Sequence, residues 1–313
     1  MGRNRRLSPA DGAAPHQLNS RHTRPLLWVG ASPVPAHSST RWTTRESRTT
    51  LRDNATSTID LDNWNRDGLL VVEDALSARE LQELQQWVFD IEHRPGTPNQ
   101  LLQYDETIAD GGTRRCRTEN FVPYHDGLRT LLTVGRIPDI ASSLLGETAV
   151  LYKEKINYKA PGGSGFAAHQ DAPAYPYVSN TIACMVAVDD STLANGCLEI
   201  ARKMHAAQLP TDARGCVEPE VAENLSWEPL PVSAGSLVFF HCYVPHRSGA
   251  NTSDSTRRAI YLTYNGESDG QLRESYYAKR IHDLADQPDQ LSLIGHFSGT
   301  AKPASSSNKE GQA

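Results

Sequence analysis

Cysteine is scarce in this chain, and no two cysteines stand at the spacing of a redox or metal pair. The 313 residues contain five, an odd number, at positions 116, 184, 197, 216 and 242. This pattern excludes a disulfide framework and favours a reducing compartment, so we predict a cytoplasmic protein. A run of about 20 apolar residues is also missing, which excludes a membrane-spanning helix. The net charge of -6 lacks the basic excess of a general nucleic-acid binder. A small molecule is therefore the expected partner.

The first 57 residues lack the apolar periodicity of a folded domain. They contain nine arginines and three acidic residues, a net charge of +6, which leaves -12 for the rest of the chain. Their Pro-, Ser-, Thr- and Arg-rich composition predicts disorder. It also fits a mitochondrial transit peptide, although prolines interrupt any amphipathic helix. A third interpretation is a true start at a later non-Met codon, for example Val34 or Leu51. We favour disorder or a later start over targeting.

A His and an Asp stand two positions apart in the stretch Phe166–Tyr175. In an extended strand, residues i and i+2 point to one face, so His169 and Asp171 can meet the same cation. A third ligand has to come from elsewhere, and His246 is the best candidate. Two histidines and one carboxylate, with open positions opposite, are the ligand set of non-haem Fe(II) oxygenases. A surface loop is the alternative interpretation of so short a pattern.

The residues after His246 suit the binding of a carboxylate. Arg257 lies eleven residues further on, and a hairpin would bring it beside His246. Its guanidinium could then hold a carboxylate with two parallel hydrogen bonds, and Ser248 could add a hydroxyl. An oxygenase that uses 2-oxoglutarate needs such an anchor for the distal carboxylate of this co-substrate. His241 is a second ligand candidate by residue type, but these offsets work only from His246.

Four segments that agree in order and spacing resemble the phytanoyl-CoA dioxygenase-like Fe(II)/2-oxoglutarate oxygenases. The resemblance extends from about residue 63 to about residue 280. Its most specific pieces are Lys155–Gly163, His169–Asp171, Asn195–Glu199 and His246-x-Ser-x-x-Asn followed by Arg257.

The resemblance implies a complete set of site residues. Fe(II) would bind His169, Asp171 and His246, and 2-oxoglutarate would bind Arg257 and Ser248, with dioxygen as the oxidant. In ectoine-hydroxylase-like members, a strand Asn and an aromatic residue also line the co-substrate pocket. The positions that match them in this sequence are Asn157 and Phe166.

The predicted elements are short strands separated by turns, without a regular alternation of helices. This arrangement favours an antiparallel jelly roll over a parallel α/β fold. We predict a mainly β protein with flanking helices, a double-stranded β-helix of the cupin-like kind. Residues 58–300 would form a single oxygenase domain. It would consist of helical support over 58–147, the jelly-roll core over 148–267, and a C-terminal helix and tail over 268–300, followed by a disordered tail over 301–313.

Two local patterns add detail to the helical support. The pair Ser77 and Glu80 is a capping box at the start of a helix, and Leu61–Gly68 predicts a shorter helix stopped by glycine. Gln100–Gly127 is polar and is interpreted as an irregular surface loop, with closure over a substrate as the alternative.

A lysine-rich face points to the substrate. Lys153, Lys155, Asn157 and Lys159 share one side of the strand predicted over 150–159. The family resemblance turns this side into the barrel, where a buried lysine requires an anion. That anion would be a bound carboxylate, phosphate or phosphonate, or an internal acid such as Glu199. Lys159, near the strand end, is expected to be exposed.

We therefore predict a small anionic or zwitterionic substrate in contact with Lys153 and Lys155. By position alone, Gln170 and Tyr175 are further candidate contacts. The motifs are similar to those of bacterial members that hydroxylate aminoalkylphosphonates, and also to those of many tailoring hydroxylases for natural-product intermediates.

Two other classes of protein compete with the oxygenase. A non-catalytic binding protein on the same jelly roll predicts a broken ligand set, whereas all three ligands and Arg257 are present. A hydrolase or isomerase with another divalent metal has no need of Arg257 and Ser248. The preferred prediction is a dioxygenase that hydroxylates its substrate and releases succinate and carbon dioxide.

Overall fold

The structure, a computed structural model, describes residues 59–96, 100–108, 111–175, 178, 180–286 and 291–304. The extension predicted over residues 1–57 lies outside the described residues, and so does the tail after residue 304. Within the described ranges, no helix is both long enough and apolar enough to cross a membrane.

The N-terminal helices form where the sequence predicts them. Helix α1 (Leu61–Asp67) ends at Gly68, whose φ of 69° is left-handed and therefore suits glycine. Helix α2 (Ala78–His93) begins with the predicted capping box, in which Ser77 and Glu80 each bond the other's backbone amide. The remaining helices are α3 (Asp126–Thr133), α4 (Arg136–Leu145), α5 (Pro219–Glu223) and α6 (Arg273–Asp286).

Twelve strands in the described residues form two antiparallel sheets. They are β1 (Leu69–Val72), β2 (Leu102–Thr107), β3 (Thr113–Glu119), β4 (Ala149–Lys159), β5 (Phe166–His169), β6 (Thr181–Ala187), β7 (Leu198–Ile200), β8 (Glu228–Leu230), β9 (Leu237–His241), β10 (His246–Ser248), β11 (Arg257–Gly266) and β12 (Ala301–Pro303). The large sheet has the order β1-β9-β6-β11-β4-β3-β2-β12, and the small sheet has the order β5-β10-β7-β8. This mainly β architecture with flanking helices confirms the predicted jelly roll.

Apolar side chains cover both faces of the central strands of the large sheet. On the outer face, Ile156, Phe239 and Ile260 pack into one cluster with residues of α2, α3 and α4. On the inner face, Met185 and Phe240 pack with residues of the small sheet. Each fully buried side chain of this size stabilises the fold by about 1.5–3 kcal/mol. The helices thus cover one face of the large sheet, and the small sheet packs against the other. All five cysteines are buried free thiols.

The structure corrects two predictions about loops. Gln100–Gly127 is not an irregular loop, because β2 and β3 form a hairpin that extends the large sheet from β4. The charged side chains of this hairpin are typical of a surface loop, which is why the strands were not predicted. Some of them pair with one another in partly buried positions, as Arg115 does with Asp105 at 2.6 Å. Ala301–Pro303 is also not disordered, because it pairs with β2 at the edge of the same sheet.

Candidate active site

Two histidines and an aspartate meet at the edge of the small sheet. His246 of β10 is the register partner of His169 of β5, and their ring centroids are 4.1 Å apart. Asp171 follows two residues after His169, where a short 3₁₀ turn begins. One ligand atom of each of the three residues lies within 4.8 Å of the others. The strand pairing therefore brings together the three residues that the sequence singles out, whereas His241 lies elsewhere.

The backbone fixes which nitrogen of each imidazole is available. Nδ1 of His169 lies 2.7 Å from the carbonyl oxygen of Ala167, and Nδ1 of His246 lies 3.0 Å from that of Val244. A carbonyl oxygen only accepts, so each Nδ1 carries the hydrogen and each Nε2 keeps its lone pair. A hydrogen bond of this kind is what orients a metal-binding histidine.

The charges of the cluster also suit a cation. Burial lowers the pKa of both imidazoles, and in His169 the neighbouring His246 lowers it further. Burial alone would raise the pKa of Asp171, but His246 and Lys155 outweigh it and hold the pKa below its ordinary value. Neutral imidazoles and an ionised carboxylate are the forms that bind a metal, so the donor set fits a divalent ion such as Fe(II).

Arg257, the first residue of β11, is buried and only partly satisfied. Its Nη2 donates to the carbonyl oxygen of Gly196 at 3.0 Å, whereas Nε and Nη1 are buried and have no hydrogen-bond partner among the described residues. Unpaired donors on a buried cation are costly, so this fork is suited to a bound anion. The residue and the orphaned donors fit the carboxylate of 2-oxoglutarate.

Lys159 is the clearest error of the sequence analysis in this region. It was expected to be exposed, but only 4% of it is accessible. Its Nζ donates to Ser248 Oγ at 2.9 Å and to the carbonyl oxygens of Gly249 at 2.6 Å and Gly196 at 3.2 Å. Lys159 is also the register partner of Arg257. The same corner of the fold therefore holds two buried cations and the Ser248 hydroxyl.

Three of the predicted co-substrate residues line one cavity with the His–Asp–His cluster. Its walls include Asn157, Phe166 and Ser248 as well as the cluster itself, whereas Arg257 is not among the lining residues. Asn157 accepts a hydrogen bond of 2.9 Å from Nε of Arg117.

A smaller chamber opens beside Asp171. Lys153 and Lys155 both line it, as predicted, together with Tyr175. The two lysine side chains differ in their partners. Nζ of Lys153 lies 3.7 Å from the carboxylate of Glu119, whereas Nζ of Lys155 has no hydrogen bond or ion pair among the described residues. Its ammonium lies over the ring of Tyr261 at 5.4 Å.

Gln170 and Glu199 do not have the partners that the sequence predicts for them. Gln170 is not a substrate contact, because its amide is committed to the backbone: it donates to Tyr243 at 2.6 Å and accepts from Leu209 at 2.8 Å. Glu199 is not the internal acid of the lysine face, because it binds Arg247 at 2.8 Å. Glu119 is the internal acid instead, and it lies in the β2–β3 hairpin, which the sequence predicts to be a loop.

The sequence analysis also missed residues that come from distant parts of the chain. His296, in the predicted tail, lines both the cavity and the chamber, and its ring centroid lies 4.2 Å from that of His169. Arg117 donates to the Ser292 hydroxyl at 2.6 Å and to the carbonyl oxygen of Leu291 at 3.0 Å. No local pattern marks these residues, whereas the alternation of β4 did place Lys159 on the correct face.

The jelly roll, the His–Asp–His cluster and the orphaned arginine together define an Fe(II)- and 2-oxoglutarate-dependent dioxygenase. Sequence comparison agrees, since the family described as "Phytanoyl-CoA dioxygenase (PhyH)" matches residues 64–259. The chain belongs to this family.

Relatives in the family include proteins named for phosphonate chemistry. A methylphosphonate hydroxylase of Gimesia maris is 44% identical over 263 residues, which cover 82% of this chain and 98% of that protein. A 2-aminoethylphosphonate dioxygenase of an uncultured bacterium is 41% identical over 232 residues, which cover 73% and 88%.

A solved structure shares the fold at lower identity. It is EctD from S. alaskensis with 2-oxoglutarate and 5-hydroxyectoine, with a TM-score of 0.59 and 22% identity. The match covers 67% of this chain and 76% of that one. At this identity the likeness concerns the fold.

Proposed function

We propose that this protein hydroxylates a small phosphonate, with Fe(II) and 2-oxoglutarate as cofactor and co-substrate. The observation that carries the proposal is the ammonium of Lys155. It lies in the wall of the cavity near Asp171 and forms no ion pair among the described residues. A cation held in a largely enclosed site calls for an anionic ligand. The two relatives named for phosphonates indicate which anion this is.

In this proposal each side chain of the site has one task. His169, Asp171 and His246 hold Fe(II) through two Nε2 atoms and a carboxylate oxygen. Arg257 binds the distal carboxylate of 2-oxoglutarate with its unpartnered donors. Ser248 contributes its hydroxyl, and Lys159 adds positive charge behind it.

When bound, Fe(II) and 2-oxoglutarate together reduce dioxygen, which yields succinate, carbon dioxide and a hydroxyl group at a former C–H bond of the substrate. The protein contributes position and the exclusion of water. Lys155 holds the phosphonate beside the metal ligands, so the alkyl carbon stays close to them. The apolar walls that Phe240 and Leu198 provide keep water from the site.

Charge favours a simple alkylphosphonate such as methylphosphonate. Asp171 is the only acidic residue among the described residues that line the cavity or the chamber, and in this proposal it is committed to the metal. A substrate ammonium would therefore have no carboxylate partner of its own.

An aminoalkylphosphonate is the second candidate. Tyr175 lines the chamber, and the face of an aromatic ring attracts an ammonium group. One of the two relatives described above is named for 2-aminoethylphosphonate. 2-Aminoethylphosphonate differs in charge from methylphosphonate only through its ammonium group. A direct comparison of the two substrates therefore separates the two candidates.

The test is a panel of substrates given to iron-loaded protein with 2-oxoglutarate in air. It contains methylphosphonate, ethylphosphonate, 2-aminoethylphosphonate, glycine betaine and an amino acid. Phosphorus NMR detects the hydroxylated phosphonate, and succinate is measured in parallel. We expect methylphosphonate to give both products at the highest kcat/KM. Succinate that rises only with betaine or the amino acid would refute the phosphonate assignment while leaving the oxygenase intact.

A further inference from the structure

His296 occupies a special position at the junction of the cavity and the chamber. It is buried, with 4% of its surface accessible, and it lines both spaces. Its ring lies 4.2 Å from that of His169 and 5.3 Å from that of Phe166, measured between centroids. His296 is not a member of the His–Asp–His cluster, so its presence at this point needs another explanation.

The backbone fixes the tautomer of His296, as it does for the metal ligands. Nδ1 lies 2.9 Å from the carbonyl oxygen of Ile294, so Nδ1 carries the hydrogen. The ring is buried and shares the chamber with the ammonium of Lys155, so a second positive charge on His296 is disfavoured. Nε2 then offers a lone pair, and it has no hydrogen-bond partner among the described residues.

The chamber therefore presents two complementary groups to a ligand. The ammonium of Lys155 only donates hydrogen bonds, and Nε2 of a neutral His296 only accepts one. Both groups line the same chamber. A ligand that satisfies both must carry an anionic oxygen for Lys155 and an O–H group for His296.

A phosphonate monoanion has both groups on one phosphorus atom. The second ionisation of a phosphoryl group lies near neutrality, at a pKa of about 6 in phosphoserine, so an oxygen that still carries its proton is accessible. A sulfonate has the same tetrahedral shape but is fully ionised at neutral pH and has no O–H group. A carboxylate lacks both the shape and the proton.

We propose that Lys155 and His296 form a subsite that selects the monoanion of a phosphonate over a sulfonate of the same shape. Lys155 binds an ionised oxygen, and Nε2 of His296 accepts a hydrogen bond from the protonated oxygen. This inference rests on the proposed function and adds His296 as the residue that recognises the protonated oxygen of the substrate.

The segment Leu291–Phe297 is built to hold His296 in place. Arg117 binds the start of this segment through the Leu291 carbonyl and the Ser292 hydroxyl. At the other end, the carbonyl oxygen of His296 accepts a hydrogen bond of 2.7 Å from the amide of Ala167. The segment thus lies along β5, whose last residue is the metal ligand His169, and His296 has a fixed position relative to the cluster.

The experiment measures binding without turnover. Methylphosphonate and methanesulfonate are titrated separately by calorimetry into protein loaded with Fe(II) and 2-oxoglutarate in the absence of oxygen. The proteins are the wild type, His296→Phe, which keeps an aromatic ring against His169, and His296→Gln, which keeps an acceptor oxygen. His282→Phe, at an exposed position on α6, is the matched control.

We expect the wild type and His282→Phe to bind methylphosphonate at least about tenfold more tightly than methanesulfonate, the effect of one buried hydrogen bond. In His296→Phe this preference should disappear, and in His296→Gln part of it should remain. The affinity for 2-oxoglutarate should be unchanged in all four proteins.

Two results would overturn the inference. One is an unchanged preference for methylphosphonate in His296→Phe. The other is an equal loss of 2-oxoglutarate affinity in both His296 variants, which would reveal a purely structural role. If the wild type binds methylphosphonate and either of these results is obtained with the variants, only the subsite is refuted. A wild type that binds no phosphonate refutes the proposed function, and the subsite falls with it.

Discussion

The surroundings of His241 and His246 show which of the two histidines is the third metal ligand. His241 and His246 stand five positions apart, yet His241 packs against Trp64 and His205, with centroid distances of 6.3 and 5.5 Å. Burial and the nearby His205 lower the pKa of His241 to about 4. Only His246 reaches the cluster with His169.

This difference predicts opposite results for two similar substitutions. His246→Ala should abolish the binding of one Fe(II) per chain, because two protein ligands do not close the site. His241→Ala should retain full binding. The measurement is the iron content after anaerobic equilibrium dialysis. Loss of iron from folded His241→Ala, with retention by His246→Ala, would refute the ligand assignment.

The orphaned donors of Arg257 predict a specific loss of co-substrate affinity. Arg257→Lys replaces a planar fork with a single ammonium, which cannot form two parallel hydrogen bonds. We expect the apparent KM for 2-oxoglutarate to rise at least about tenfold, which corresponds to about 1.4 kcal/mol. Steady-state succinate formation measures it.

Arg258→Lys is the control, because Arg258 follows directly in β11 and binds Asp189 at 2.7 Å rather than the site. It should leave the KM for 2-oxoglutarate within about twofold, since exposed and half-buried ion pairs contribute little to a distant site. An unchanged KM in Arg257→Lys would show that the co-substrate carboxylate lies elsewhere.

At the scale of elements, the turn before β7 supports the arginine. Gly196 has a φ of 71°, and a Cβ there would lie 2.4 Å from the carbonyl oxygen of Gly249. Its own carbonyl oxygen accepts hydrogen bonds from Arg257 and Lys159. The close approach of these two backbones is therefore what holds both cations in place.

Two glycine substitutions separate crowding from backbone strain. Gly162 has a similar φ of 76°, but a Cβ there meets nothing within 4 Å. Gly162→Ala should cost about 1 kcal/mol of unfolding free energy through its φ alone and leave the KM for 2-oxoglutarate unchanged. Gly196→Ala should cost more and also raise this KM. Chemical denaturation and initial rates measure both quantities. Equal effects of the two substitutions would contradict the supporting role of the turn.

The elements also show why part of the site could be predicted from the sequence. Strand alternation predicts that His169 and Asp171 share a face, but β5 ends at His169 and Asp171 begins a 3₁₀ turn. A hairpin between His246 and Arg257 is also predicted, yet β10 lies in the small sheet and β11 in the large one. The residue types and their offsets therefore identify the site, whereas the local structures that they implied are wrong. Lys159 obeys the same alternation, but its burial depends on a neighbouring loop, which alternation does not describe.

At the scale of the whole molecule, three lysines of β4, two of them buried and one partly buried, make stability depend on pH. Burial lowers the pKa of Lys153 to about 8 and those of Lys155 and Lys159 to about 7. In the unfolded chain these lysines keep their protons up to a pKa of about 10.4. Between pH 7 and 8 the unfolded state therefore binds more protons, so stability rises with pH and falls as pH decreases.

We expect the unfolding free energy of the metal-free protein to increase from pH 7 to pH 8, by up to about 1.4 kcal/mol for each lysine. Lys159→Met should reduce this slope, because it removes one of the three groups. Urea unfolding at several pH values measures it. A free energy that is flat or falls over this interval would contradict the depressed pKa values.

The complete site is also a property of the whole molecule. His296 lies 127 residues after His169, and it reaches the cluster because Leu291–Phe297 runs beside β5. Glu119, the partner of Lys153, comes from a hairpin whose charged residues read as a surface loop. Such contacts are set by tertiary packing, so neither periodicity nor motif spacing predicts them, whereas residue types at characteristic offsets do indicate the ligand set and the arginine.

The central claim is that this chain couples the oxidation of 2-oxoglutarate to the hydroxylation of a phosphonate. The most direct test measures succinate and hydroxymethylphosphonate together, from iron-loaded protein supplied with methylphosphonate, 2-oxoglutarate and air. We predict equal amounts of the two products, and neither of them from His169→Ala or without oxygen. Folded protein that binds Fe(II) but forms no succinate with any substrate would contradict the account and favour a non-redox role for the metal.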